Sequence, residues 1–171
     1  MLLLTGQWLR EVSEMRWFEL DLENKVWSLP RQRCKNGQAH VIPLSDQAIA
    51  ILKALKSAET AGLVFGVSGF SRAKKALDAA AKLSTPWCLH DIRRTCASGM
   101  ARHNGVQPHV VEAVLNHKSG QVRGVAAVYN RYSYSTEKRE ALDIWAQHVE
   151  RCAGNIIIAR PVEAAIMEAA E

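Results

Sequence analysis

Four short segments carry residue types able to handle a phosphate. In His90-Asp91-Ile92-Arg93-Arg94-Thr95, His90 and Arg93 are three residues apart, a spacing that puts both on one face of a helix. Such a pair could grip one phosphate. Arginine supplies a planar fork matched to phosphate oxygens, and histidine adds a hydrogen bond or a proton near neutral pH. The plainer reading of the segment is a capped helix with solvated basic residues. Downstream, Val114-Leu115-Asn116-His117-Lys118-Ser119-Gly120 brings a second histidine, and Tyr129 follows His117 by twelve residues within Val128-Tyr129-Asn130-Arg131. A tyrosine beside an apolar helix face is usually core, with its hydroxyl hydrogen-bonded. Lys35-Asn36-Gly37 places a lysine near a turn, where a solvated lysine without a role is the ordinary reading. Each segment alone has a bland explanation; their joint presence in one chain shifts the weight toward phosphate chemistry.

The elements that must position these residues can be read from patterning. Leu9, Val12 and Met15 are spaced for one apolar face of a helix over 7–15, and 16–20 leads into sheet. A hairpin over 21–45 follows, with Val26-Trp27-Ser28-Leu29 as one strand, Ala39-His40-Val41-Ile42 as another, and Lys35-Asn36-Gly37 near the turn. Ser45 or Asp46 caps a helix carrying Ile49, Leu52 and Leu55; residues 62–69 read as loop or short strand, and a helix spans 70–80. From Pro86 onward the pattern is helical, with helices over 89–103, 108–116, 124–132 and 136–153 separated by glycine and polar turns. The fold class expected is α+β, mainly helical, with a small antiparallel hairpin near the N-terminus. Residues 1–153 form one domain, and a tail over 154–171, with Ile156-Ile157-Ile158 and Pro161, could dock on a neighbouring subunit.

The 171 residues fit one domain, and 48% hydrophobic content supports a globular core. No apolar run approaches the ~20 residues of a membrane helix, and Met1 to Leu4 is too short for a signal peptide. A formal charge of +5 suits a polyanionic partner without requiring one. Cys34, Cys88, Cys96 and Cys152 lack C-x-x-C spacing, so free thiols and no zinc site are expected. Leu2-Leu3-Leu4 followed by Thr5-Gly6 reads as the middle of a buried element, as in a piece of a longer protein.

Taken in order, these residues resemble the catalytic domain of tyrosine recombinases, the phage integrase family. The resemblance covers nearly the whole chain. It runs through Leu3-Leu4-Thr5-Gly6, Val12, Met15-Arg16-Trp17, the hairpin lysine with Val41-Ile42-Pro43-Leu44-Ser45, His90 to Thr95, Leu115 to His117, Tyr129-Asn130-Arg131 and Lys138-Arg139-Glu140-Ala141-Leu142. The resemblance implies site-specific breakage and rejoining of DNA through a 3′-phosphotyrosyl intermediate. Tyr129 is then the nucleophile, with Tyr132 and Tyr134 as neighbouring competitors for that assignment. Lys35 protonates the leaving 5′-oxygen, His90 and Arg93 contact the non-bridging oxygens, and His117 adds a hydrogen bond. His40, His103, His109 and His148 match nothing. Neither metal, ATP nor another cofactor is implied. The implied partners are double-stranded DNA at attachment sites, further copies in a tetrameric synapse, and accessory DNA-bending proteins, in the cytoplasm at the nucleoid rather than at a membrane.

One position departs from the family pattern. The pattern is Thr-Gly-x-Arg with Glu three residues on, and here it reads Thr5-Gly6-Gln7-Trp8-Leu9-Arg10-Glu11, so Trp8 stands where the first catalytic arginine is expected. Arg10 is two residues on, roughly 200° around a helix, and should point elsewhere. Losing one charge-stabilising donor commonly costs about 10² to 10³ in rate. The family also has an N-terminal DNA-clamping domain, for which no stretch of this chain provides. The other readings are a catalytically inactive DNA-binding remnant and a basic helical regulator, for which 108–116 is the sole weak recognition helix.

Overall fold

The computed structural model describes residues 1–55, 62–66, 69–82, 85–117 and 133–154. It is mainly helical with one small sheet, as expected. Helix α1 (Leu2–Thr5) ends at Gly6, whose φ of 64° is left-handed, and α2 (Leu9–Ser13) begins after an extended Trp8. The helix expected over 7–15 is therefore shorter at both ends. Gly6 admits no side chain: an added Cβ would lie 2.9 Å from Cys96 Sγ and 3.0 Å from Leu115. That reversal brings the α1–α2 junction onto two later segments of the chain.

Strands β1 (Leu20–Asp21), β2 (Val26–Leu29) and β3 (His40–Pro43) form an antiparallel sheet in that order. Alternation places Trp27, Leu29, His40 and Ile42 on its buried face while Ser28 and Val41 face out. In the register Trp27 opposes Ile42 and Leu29 opposes His40, so the pairs share that face. The second strand lies one residue later than the sequence pattern indicates, and β1 adds a third.

Helices α3 (Asp46–Leu55), α4 (Phe70–Ala81), α5 (Leu89–Asn104), α6 (Pro108–Val114) and α7 (Ser135–Ala153) complete the α-helices of the described residues, beside two short 3-10 turns at Trp17–Glu19 and Arg31–Arg33. One core joins Met15, Trp27, Leu29, Ile42 and Leu52 from the first half to Cys96, Met100, Val114, Leu142 and Trp145 from the second. Helices α5 and α7 meet where Gly99 faces Trp145; a Cβ at Gly99 would fall 2.2 Å from the indole ring. Trp145 Nε1 donates to Leu3 O at 2.8 Å, tying α7 to α1, and the buried Lys138 Nζ donates to Val41 O on β3 at 2.8 Å. Among the described residues no helix is long and apolar enough to cross a membrane. The expected helix over 124–132 and the tail over 155–171 lie outside the described residues.

Candidate active site

Arg93 is the centre from which the site is built. It sits on the first turns of α5, which is capped at Cys88, where the amide donates to Asp91 Oδ2 at 2.8 Å. That bond, with a further one from Arg94 at 2.8 Å, holds the Asp91 carboxyl at about 2, so the cap is charged at neutral pH. Arg93 is only 5% exposed. Its guanidinium donates to Gly6 O and, at 2.6 Å, to Leu115 O. Burial lowers its pKa, yet an arginine stays protonated. Two of its five donors are thus committed to the backbone, and a buried cation is held at the base of the site.

The end of α6 is fastened by side chains from three distant segments. Helix termini leave their last carbonyls without partners. Here Val114 O accepts from Gln7 Nε2 at 2.8 Å and from His40 Nε2 at 3.0 Å, Leu115 O accepts from Arg93, and Asn116 O accepts from Asn36 Nδ2 at 2.6 Å. Burial pushes the His40 pKa down to about 4, so the ring is neutral and Nε2 carries its proton toward Val114 O. His117 leaves this clamped turn directly, with its backbone amide on Glu112 O and its Nδ1 3.0 Å from Glu112 Oε2. A carboxylate on Nδ1 fixes the ring's orientation.

The connection from β2 to β3 carries Lys35 and is anchored on both sides. Arg33 pairs with the buried Glu19 at 2.8 Å and donates to Glu11 O at 2.7 Å. Glu11 is buried at the start of α2, where Oε2 accepts the Trp8 amide at 3.1 Å and Oε1 accepts the Lys35 amide at 3.0 Å. Beyond Lys35, Asn36 and Asn116 exchange side-chain contacts, Asn116 Nδ2 reaching Asn36 Oδ1 at 3.3 Å. The Lys35 side chain is left free to project, and its Nζ lies 3.4 Å from the centre of the Trp8 ring.

Trp8 is where the assembly closes. The His90 ring stacks on the indole at 5.2 Å and 16°, and Arg93 Cζ lies 4.6 Å from the indole centre. Lys35, His90 and Arg93, expected from sequence to act together, therefore converge on one point although they come from two well-separated segments. Arg10 is exposed on α2. His117 lies two residues after Leu115, whose carbonyl Arg93 holds, and its own ring is on Glu112. Tyr129 lies outside the described residues; Tyr134 stands at the start of α7 with its ring 5.3 Å from that of His109. Gln7, Glu11, Asn36 and Glu112 support the site. Only Glu11 was marked in advance, by its place three residues after Trp8.

Comparison with known proteins decides the lineage. The Phage integrase family model matches residues 1–136. The chain belongs to the phage integrase family. This integrase-family chain is 33% identical over 160 residues to Prophage integrase IntA of Escherichia coli (strain K12), a match covering 86% of this chain and 37% of that protein. It is 26% identical over 149 residues to the Integrase of Shigella phage Sf6, covering 82% and 38% respectively. The chain thus spans under two fifths of the length of these two relatives. The Integrase from mycobacterium phage Brujita shares the fold, with a TM-score of 0.61 at 16% identity over 99% of this chain and 55% of that one.

Proposed function

We propose that this chain is the strand-exchanging part of a site-specific DNA recombinase, with Tyr129 as nucleophile and Lys35, His90, Arg93 and His117 as the groups that manage charge and protons. The supporting observation is the convergence of Lys35, His90 and the buried Arg93 on one point, over a clamped turn that projects His117. Three donors gathered there suit a single phosphate better than a solvated surface.

In this reading the Tyr129 oxygen attacks phosphorus, forming a phosphotyrosyl bond as the bond to the 5′-oxygen breaks. The phenol's proton passes to solvent water, Lys35 supplies one to the leaving oxygen, and Lys35 regains it from the 5′-hydroxyl in the reverse step. Arg93, His90 and His117 neutralise the crowded phosphorane, a task for preorganised donors. The reverse step, attack by a 5′-hydroxyl of a second strand, restores the phosphodiester. One phosphoester bond replaces another throughout, so no nucleotide hydrolysis is required. Double-stranded DNA at attachment sites, a tetrameric synapse, accessory bending proteins and a place at the nucleoid belong to this proposal. So does the division into a catalytic unit over 1–153 and a tail that docks on a neighbour.

Trp8 favours a second reading, a DNA-binding chain whose cleavage is slow or lost. An arginine acting on a transferring phosphoryl group can be worth about 10³ to 10⁵ in rate. Incubation with a nicked suicide duplex carrying the cognate attachment sequence separates the two. The recombinase reading expects a covalent protein–DNA band that disappears in Tyr129→Phe. Duplex binding without a band supports the inactive reading.

A further inference from the structure

The indole of Trp8 stands 3.4 Å from Lys35 Nζ, 4.6 Å from Arg93 Cζ and 5.2 Å from the centre of the His90 ring. The three groups lie around the volume that the indole fills, so a phosphate bound by all three in these positions competes with the indole for that space. Hydrogen bonds from these nitrogens to phosphate oxygens need about 2.7–3.2 Å, which puts a phosphate in the same place. The three groups are not equally movable. Arg93 is buried and bonded to Gly6 O and Leu115 O, and its neighbours Gln7 and Glu11 are buried too. Trp8, by contrast, is only partly buried, and its hydrogen bond to Glu11 is made by the backbone amide and not by the indole.

We propose that Trp8 is a phosphate-competing residue: its π face satisfies Lys35 and Arg93 while the site is empty, and the indole must swing out before a DNA phosphate can engage them. This rests on the reading that these groups bind DNA phosphate. It goes beyond the absence of an arginine at position 8, because a merely missing donor weakens phosphate binding, whereas an occupying indole also opposes it. Cation–π contact offers each cation a partner that water or phosphate must replace. Removing the π face while keeping apolar bulk therefore strengthens DNA binding, although no donor has been added.

The test follows the Lys35 side-chain protons by NMR as a short nicked duplex is titrated at low salt into the full chain, alongside duplex affinity for the wild type and Trp8→Leu. The free wild type is expected to show Lys35 Hε signals moved upfield by the indole ring current, Trp8→Leu to lack that shift, and saturating duplex to abolish it in the wild type. Trp8→Leu is expected to bind duplex about two- to thirtyfold more tightly, the range that one or two cation–π contacts supply. An upfield shift that persists in the DNA complex overturns the proposal and makes Trp8 a fixed platform. So does equal or weaker binding by folded Trp8→Leu. The wild-type titration decides the matter even if the variant fails to fold. Duplex that fails to bind either protein removes phosphate from this site and overturns the functional reading together with the inference.

Discussion

The site has a base and a rim, and the two are built on opposite principles. At the base, Gln7, His40 and Arg93 are buried, and each donates to a carbonyl at the end of α6. At the rim, Lys35, His90 and His117 are exposed, with side chains on an indole or on Glu112. The base spends its hydrogen bonds on structure; the rim leaves its side chains exposed. Arg93 belongs to both, and its double duty explains why it is the buried member of the trio.

The comparison breaks first at Arg93. Arg93→Leu leaves Gly6 O and Leu115 O buried without donors, and at about 1–3 kcal/mol for each such group the loss of stability should be about 4 kcal/mol. Chemical denaturation measures it, and a loss under about 1 kcal/mol would show that the base is not structural. His40 gives the next effect. Burial depresses its pKa from 6.5 to about 4, so the folded state resists the proton that the unfolded chain accepts. Its contribution is complete above pH 6.5, shrinks as pH falls toward 4, and amounts to roughly 3 kcal/mol at most. His40→Gln, which retains a donor for Val114 O, should flatten stability across that window; an unchanged slope would contradict the assignment. Smallest is the effect of Lys35→Ala at the rim, within about 0.5 kcal/mol on folding. The same change should slow cleavage far more than it weakens duplex binding, and equal losses would recast Lys35 as a phosphate anchor.

Much of this was legible in the sequence. Val26-Trp27-Ser28-Leu29 reads as one strand of a hairpin, and the three-residue spacing of His90 and Arg93 puts them on one helix face, as found, where both lie beside Trp8. The helix over 7–15 came out shorter because Gly6 turns left-handed and Gln7 is drawn inward to Val114 O, effects that periodicity does not encode. The clamp on α6 was invisible for a related reason. Its donors Gln7, Asn36 and His40 lie 107, 80 and 74 residues from their acceptors, and none carries a local signature. Trp8 was legible as a departure from a pattern. That Lys35, His90 and Arg93 all gather on it was not, since stacking is a property of the folded site.

The central claim is that position 8 borders the phosphate of a tyrosine recombinase. The most direct measurement compares covalent trapping on the nicked suicide duplex by the wild type and Trp8→Arg, each with and without Tyr129→Phe. An arginine there should restore a charge-stabilising donor and clear the indole, raising the rate of covalent attachment about 10² to 10³-fold, with no band from either Tyr129→Phe protein. A folded Trp8→Arg protein that binds duplex yet gains nothing would contradict the account, because a donor added beside Arg93 and His90 would then have no phosphate to act on.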